Sequence, residues 1–482
     1  MEKIVFALLS LVIFLLPLPF GGNEEWAIFG FELVIFSCGL VYFLSQPRSG
    51  KDSGGVNKQH LSGPALILLL LFLVISFLQV IPLPASWLKV ISPSAAAWRK
   101  TLAELSLTAE NKYQTLSLSP WSSAYEVLKF AAYGLFAFLL GRVLDSKKRI
   151  KTLAGVLVAA GLFQALYGMS EHFGGTHRIF TWLNRYYAGS AFGTFVNRDH
   201  YAAFLEMIFP LSLGYFLVRA DYFSIRPGLS WRQRLVAFGQ EKLQKSLLFI
   251  LPPLIIGVGL VFSRCRSGII IFLVIFSLMM LILSLSRISG QRRAEKKLVR
   301  VVFSLVLLAA ILIGINPVLE RFTHEGFLDN TRRLFYIYTI DLIRDFPITG
   351  TGLGTYVKAI NPYLGRDFGV IVDHAHNDYL EVLAESGLIG GGLLILAGFW
   401  LLVFLFRKWS SVGHPLGRGL GLGALMGILA IFLHSLTDFS LRMPANAVLW
   451  VSLFVLCFRC LSLTSDEDMV EAEDSRAGEG KR

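Results

Sequence analysis

One nine-residue stretch, 373–381, concentrates the side chains best suited to chemistry. It contains two histidines, two aspartates, an asparagine and a glutamate. A histidine can exchange a proton near neutral pH, and carboxylates can orient it or bind a metal. Polar groups at this density cost too much free energy to stay in hydrocarbon without a function. The candidate site residues in this stretch are His374, His376, Asn377, Asp378 and Glu381.

Arginines outside the strongly basic loops form a second group of candidates. They stand at the mouth of one apolar run, in a short turn between two others, and in a long connection: Arg198; Arg264 and Arg266; Arg332 and Arg333. Guanidinium groups keep their charge and bind phosphate oxygens in pairs. With a histidine that takes a proton from a hydroxyl, they could catalyse glycosyl transfer from a lipid-linked pyrophosphoryl sugar. The acidic leaving group needs charge stabilisation more than a general acid.

Each of these side chains also has a plainer interpretation. A single arginine can extend to the membrane interface. His374 or His376 could merely cap the helix that is predicted to start near Asp378. The two histidines and their flanking aspartates could instead hold zinc. Glu381 and Glu385 share a helix face, where they could orient a histidine, pair with arginines or face solvent.

The elements that must position these residues are predicted to be membrane helices. Charged residues make up 16% of the 482-residue chain, against about a quarter in soluble proteins, and the mean hydropathy is +0.61. The apolar runs are continuous, which favours an all-α polytopic membrane protein over a β-barrel. We predict about twelve transmembrane helices, with several residues of uncertainty at each end. They are roughly 4–20, 26–45, 62–80, 123–141, 152–169, 199–218, 246–263, 267–286, 299–316, 387–406, 418–436 and 443–461.

Basic residues predict the topology. They fill alternate connections, near 142–151, 226–245, 287–300 and 407–408. The positive-inside tendency places these loops and both termini in the cytoplasm, so the net charge of +12 does not call for a nucleic-acid partner. All candidate arginines and histidines then fall together on the opposite face. The main connections of that face are 81–122, 170–198, 264–266, 317–386 and 437–442.

The domain organisation follows from these predictions. Residues 1–464 form one transmembrane domain, with 4–20 interpreted as a retained first helix rather than a signal peptide. The long connection 317–386 is rich in apolar residues and contains an amphipathic stretch at 334–346, so we expect an ordered cap. Residues 465–482 are acidic and polar, which is typical of a disordered tail on the cytoplasmic side.

The spacing around His376 resembles a known signature. His376-Asn377, nine residues, then Gly387 and two further residues to Gly390 is similar to the His-(Asn/Ser/Gln)-x9-Gly-x2-Gly pattern of the bacterial O-antigen ligase and O-antigen polymerase family. The glycines are also suited to close helix packing. The resemblance extends over about residues 120–440. Its other matching stretches are 197–201, 263–268, Arg332 and 347–356.

This resemblance implies a C-type glycosyltransferase-like fold with a periplasmic cap, in the bacterial inner membrane. It implies an enzyme that takes glycan from undecaprenyl pyrophosphate without a metal or a cofactor. His376 would be the catalytic base, and Arg198 and Arg266 would hold the pyrophosphate. Arg264 could replace Arg266 as the key arginine, and His374 is a second candidate base. The substrate-binding candidates are Arg264, Arg332, Arg333, His374, Asn377, Asp378, Glu381 and His200.

The acceptor is not decided by the signature. Ligases of this family pass glycan to lipid A–core, polymerases pass it to another lipid-linked repeat unit, and relatives make exopolysaccharide or glycosylate proteins. We take ligation as the leading prediction, with the glycan donor, the acceptor and membrane lipids as partners. A membrane transporter is the alternative from another class, and it predicts charged residues near the middle of the spans. A non-catalytic scaffold is a third possibility.

Overall fold

The computed structural model describes most of the chain as helix. The described residues are 1–45, 63–105, 112–219, 248–285, 300–306, 308, 311 and 330–463. The helices are α1 (Glu2–Leu15), α2 (Glu25–Leu44), α3 (Gly63–Leu78), α4 (Ala85–Ile91), α5 (Pro93–Glu104), α6 (Pro120–Val143), α7 (Lys147–Gly174), α8 (Arg198–Arg219), α9 (Leu251–Phe262), α10 (Arg266–Leu285), α11 (Asn330–Asp345), α12 (Tyr356–Ala359), α13 (Asp378–Ser411), α14 (Pro415–His434) and α15 (Pro444–Cys460). Two short antiparallel ribbons pair β1 (Leu83–Pro84) with β2 (Tyr113–Gln114) and β3 (Arg178–Ile179) with β4 (Trp182–Leu183).

Seven described helices are long and apolar enough to cross a membrane, namely α2, α6, α7, α8, α10, α13 and α14. Three shorter apolar helices lie in α3, α9 and α15. The chain is therefore an all-α polytopic membrane protein, and the total of twelve spans stays a prediction. The loops predicted at 226–245 and 287–299, much of the span 299–316, the segment 317–329 and the tail 465–482 lie outside the described residues.

Helices α8 and α14 pack at the centre of the main hydrophobic core, which glycines make possible. Gly419, Gly423 and Gly427 follow each other at four-residue spacing on α14, so they lie on one face. A Cβ on Gly427 would lie 2.3 Å from the carbonyl oxygen of Met207 on α8. Small residues allow the backbones of membrane helices to approach this closely. The end of α14 is thereby fixed against α8, which begins at the site described below.

A second hydrophobic cluster lies apart from the main core. It is built by residues from 83–118 and 335–384, including Leu88, Leu342 and Phe346. The amphipathic stretch predicted at 334–346 is confirmed as part of α11, which ends before Pro347 because proline cannot continue a helix. The described parts of these two connections pack on each other through this cluster.

Helix α13 bends at Gly387, where the loop after α11 crosses it. Gly387 has φ 66° and ψ −177°, a conformation open essentially to glycine alone. A Cβ there would lie 2.1 Å from the carbonyl oxygen of Ile348, and the Leu388 N–H donates to the Pro347 carbonyl at 2.8 Å. Two loop N–H groups also donate to α13 carbonyls: Thr351 to Ala384 and Gly352 to Glu385. We call this crossing the glycine joint, and residues 378–386 before it the polar half of α13.

Candidate active site

Four helix ends meet at one end of the bundle. They are the start of α8, the turn between α9 and α10, the start of α13 and the turn after α14. The Asp378 N–H donates to the Ser435 carbonyl at 3.0 Å, which joins the last two. A Cβ on Gly268 would lie 2.9 Å from the Cβ of Ala202, which places α10 against α8. The structure therefore brings together the stretches that the sequence assigned to one face.

His376 is held from several sides. Its Nδ1 lies 2.9 Å from Oδ1 of Asp438, and its carbonyl accepts a hydrogen bond from the Tyr336 hydroxyl at 2.9 Å. The ring stacks on Phe335 and meets Phe439 edge-on. Its φ of 52° is left-handed, a conformation that costs about 1–3 kcal/mol and persists only where surroundings enforce it. With Nδ1–H donating to Asp438, Nε2 is left to accept a proton.

Asp438 is fully buried and sits between two histidines. Besides His376, it has Nε2 of His200 at 3.5 Å from its Oδ2. Burial would raise the pKa of Asp438, but the hydrogen bond from His376 and the positive charge of Arg332 hold that pKa well below its usual range. Asp438 therefore stays ionised at neutral pH. Sequence reasoning missed it, although a charged residue in the short 437–442 connection was a usable signal.

Two of the predicted arginines share one carboxylate. Nη2 of Arg332 lies 2.8 Å from Oδ2 of Asp199, and Nε of Arg198 lies 3.8 Å from Oδ1. Each arginine also has a neutral anchor. Arg332 donates to the Thr437 carbonyl at 2.6 Å, and Arg198 donates to the Ser190 hydroxyl at 3.1 Å. We call Arg198, Asp199 and Arg332 the arginine–aspartate cluster; Asp199 was not among the predicted site residues.

The turn that carries Arg264 and Arg266 lies beside this cluster. Nη1 of Arg264 lies 3.2 Å from where a Cβ on Gly189 would be, next to the segment that anchors Arg198. Cys265 is buried, which raises the pKa of its thiol, and the negative charge of Asp199 raises that pKa further. Arg266 is the first residue of α10, and Arg264 has a left-handed φ of 55°. Both arginines therefore remain candidates for binding an anion here.

His374 belongs to a separate network. Its Nδ1 lies 2.8 Å from Oε1 of Glu381, whose Oε2 accepts a hydrogen bond from the Ala375 N–H at 2.9 Å. Arg442 bridges the buried carboxylates of Glu381 and Glu385, at 3.3 and 2.7 Å. Burial lowers the pKa of His374, but Glu381 outweighs it, so the pKa lies above the ordinary value. His374 thus holds its proton more strongly than an ordinary histidine does, and Arg442 is a further residue that sequence reasoning missed.

The remaining predicted residues take structural positions. Asn377 caps α13, since its side chain accepts from the Leu380 N–H at 3.0 Å, so the histidine cap considered from the sequence is wrong. The predicted helix start at Asp378 is confirmed. The Asp378 carboxylate accepts a hydrogen bond from the Ser435 hydroxyl at 2.8 Å. Arg333 is exposed on α11. Substrate binding by these residues stays a prediction.

The side chains of the zinc alternative point to other partners. His374 pairs with Glu381, His376 with Asp438, and Asp378 with Ser435. Within the described ranges, no group of three or more histidine, cysteine, aspartate or glutamate side chains is placed to hold a metal ion. The chemistry that the geometry offers is a carboxylate-oriented histidine next to clustered arginines.

A buried histidine–glutamate pair lies next to the site, inside the helices. Nδ1 of His434 on α14 is 2.8 Å from Oε1 of Glu206 on α8, and both side chains are fully buried. Glu206 follows Asp199 by seven residues, or two helical turns, and His434 precedes Asp438 by four. A hydrogen-bonded polar pair between two membrane helices contributes about 1 kcal/mol to their association. This one fixes the elements that carry the two site carboxylates.

Comparison with known proteins adds a family to this geometry. Residues 252–395 match the model of a protein family described as O-antigen ligase. The matched segment includes the turn at 264–266, Arg332, both histidines of the 373–381 stretch and the glycine joint. It does not include Arg198 or Asp438. A search of curated proteins gives no match.

Proposed function

We propose that the chain is a glycosyltransferase of the O-antigen ligase and polymerase family, which the match of residues 252–395 to the O-antigen ligase model supports. It transfers a glycan from undecaprenyl pyrophosphate to an acceptor hydroxyl, as a ligase whose acceptor is lipid A–core. The observation that carries the proposal is the meeting of His376, oriented by Asp438, with the arginine–aspartate cluster and the 264–266 turn.

In the proposed reaction, each group has a separate role. Arg198 and Arg266, helped by Arg264 and Arg332, bind the pyrophosphate oxygens. Nε2 of His376 takes the proton of the acceptor hydroxyl as that oxygen bonds to the anomeric carbon. The bond from that carbon to the phosphate oxygen breaks, and its electron pair stays on undecaprenyl pyrophosphate. Asp438 stabilises the imidazolium that forms, as in other carboxylate-oriented histidine bases.

The proposed location is the bacterial inner membrane, with both termini in the cytoplasm and the site at the periplasmic face. The distribution of basic residues supports this orientation. The domain assignment follows the sequence: residues 1–464 form the transferase, with 317–386 contributing to a periplasmic cap. Clustered arginines at the ends of apolar helices suit a phosphate group at the level of lipid headgroups.

The test is transfer by purified protein, supplied with undecaprenyl-pyrophosphoryl glycan, lipid A–core and EDTA. We expect His376→Gln and Arg266→Ala each to lower turnover, the former by about 10²–10⁴-fold, the usual contribution of a general base. His177→Gln and the exposed Arg344→Ala serve as matched controls. Full turnover by the His376 variant would refute the mechanism, and turnover that requires a metal would refute its metal independence.

A second acceptor separates the proposed ligase from a polymerase. The same assay receives a lipid-linked repeat unit in place of lipid A–core. Product formed only with the repeat unit would assign polymerisation and would reject ligation. Movement of the lipid-linked glycan across proteoliposomes without covalent change would instead favour the transporter.

A further inference from the structure

The carboxylate of Asp199 lies between Arg198 and Arg332. We propose that Asp199 stands in the place of a phosphate and competes with the lipid pyrophosphate for Arg198 and Arg332, so that it controls release of the pyrophosphate product. This inference rests on the proposed function. Asp199 would thus be a positioning residue that sets donor and product affinity without touching the reacting atoms.

The geometry of Asp199 suits a substitute ligand. Its two oxygens address different arginines, Oδ2 facing Arg332 at 2.8 Å and Oδ1 facing Arg198 at 3.8 Å. Its side chain is only 13% exposed, so few waters can take the place of its arginine contacts. A pyrophosphate bound by the same arginines would present its oxygens to the same groups. Carboxylate and phosphate therefore cannot both have the full set of contacts.

The arginines can change partner without losing their places. Arg332 keeps its hydrogen bond to the Thr437 carbonyl, and Arg198 keeps its bond to the Ser190 hydroxyl and its position over the Tyr187 ring, 5.2 Å away. A half-buried guanidinium without a counter-charge is unfavourable. Asp199 supplies that counter-charge when no anion is bound, which keeps both arginines ordered for the donor.

Product release is the step where such competition matters most. When the glycosidic bond to phosphate breaks, the pyrophosphate gains one negative charge, so the arginines hold the product more firmly than the donor. Slow product release limits turnover in many enzymes. A carboxylate that returns to the arginines opposes this tight binding. Its removal should therefore strengthen pyrophosphate binding and slow turnover.

The experiment measures binding of inorganic pyrophosphate to the full-length protein in detergent by calorimetry, alongside steady-state transfer. We expect Asp199→Asn to bind pyrophosphate at least about fivefold more tightly, the lower end of typical coupling between two ligands. Both kcat and the KM for donor should fall. Asp341→Asn removes an equal charge from an exposed pair with Arg344 and should change neither. Asp199→Glu keeps a carboxylate at this position and should keep the wild-type affinity for pyrophosphate.

The possible results separate this inference from the proposed function. Equal or weaker pyrophosphate binding by folded Asp199→Asn, in an enzyme whose wild type transfers glycan, overturns the competition and leaves the transferase standing. Absence of transfer by the wild type overturns the proposed function. If the Asn variant does not fold, Asp199→Ser also removes the carboxylate and is expected to give the same gain in affinity. A folded Ser variant without that gain overturns the inference.

Discussion

Two histidines that stand two residues apart have almost the same immediate chemistry. Nδ1 of His374 lies 2.8 Å from Glu381, Nδ1 of His376 lies 2.9 Å from Asp438, and the two imidazole side chains are 24% and 23% exposed. What differs is the group beyond each carboxylate. Glu381 is bridged to a second glutamate by Arg442, whereas Asp438 faces His200 and the arginine–aspartate cluster.

A histidine paired with a carboxylate is therefore not by itself a catalytic base. Around the first pair, His374 and Arg442 face the buried carboxylates of Glu381 and Glu385, which we call the closed network, and Glu381 raises the pKa of His374. In the second pair, the histidine lies beside residues suited to bind an anionic substrate. The first pair therefore supports the polar half of α13, and the second is the one that we assign to proton transfer.

The largest expected effect comes from Asp438→Asn. Loss of the carboxylate removes the acceptor that fixes the His376 tautomer and stabilises its imidazolium, so kcat should fall by about 10²–10⁴-fold. Glu381→Gln is the matched change in the other pair. It should lower the free energy of unfolding and change kcat much less than Asp438→Asn does. Measured kcat and thermal unfolding of both variants decide this. A kcat for Asp438→Asn above half the wild-type value would erase the distinction between the pairs.

The next effect tests the closed network. Arg442→Leu leaves buried Glu385 without a cation and Glu381 with His374 alone, and breaking a buried pair in this way costs about 3–5 kcal/mol. The free energy of unfolding in detergent or lipid measures it. Arg344→Leu, at an exposed ion pair, should change stability by less than about 0.5 kcal/mol. Adding Glu385→Gln to Arg442→Leu should recover part of the loss; no recovery would argue against electrostatic closure.

The smallest effect is a pH dependence of stability from His374. Because its folded pKa is raised, protonated His374 stabilises the fold fully below the ordinary pKa of about 6.5, and this contribution is lost as pH rises through the folded pKa. His374→Gln should therefore cost about 1–2 kcal/mol near pH 6 and less near pH 9. Unfolding at both pH values measures the difference. A cost that grows with pH, or a kcat loss as large as that of His376→Gln, would contradict the assignment.

The segments that meet at the site could be predicted from the sequence alone. Alternation of basic connections placed 198, 264–266, 332 and 373–381 on one face, and the start of α13 was predicted at Asp378. These inferences depend on local composition and on counting spans. The contacts between these segments agree with that grouping, while the span count and the orientation stay predictions.

The partners of the predicted residues could not be found in this way. Asp438 is 62 positions from His376, and Asp199 is 133 positions from Arg332. Which carboxylate meets which cation depends on how α8, α13 and α14 pack, and no periodicity in the sequence encodes that. Arg442 was missed for the same reason, since it looks like an ordinary charge in a short turn until Glu381 and Glu385 are seen beside it.

The glycine joint explains why the signature has nine residues, 378–386, between Asn377 and Gly387: they form a helical segment of fixed length. From Asn377 to Gly387 the chain makes about 2.8 helical turns, about 15 Å along the axis at 1.5 Å per residue. One end of this interval is fixed by the loop at Ile348 and the other by the turn at Ser435. One residue inserted between Asp378 and Glu381 would rotate the helix that follows by about 100° relative to Asp378. Glu381 and Glu385 would then turn away from Arg442. The number of residues between the two fixed points is thus constrained more strictly than the identity of most of them.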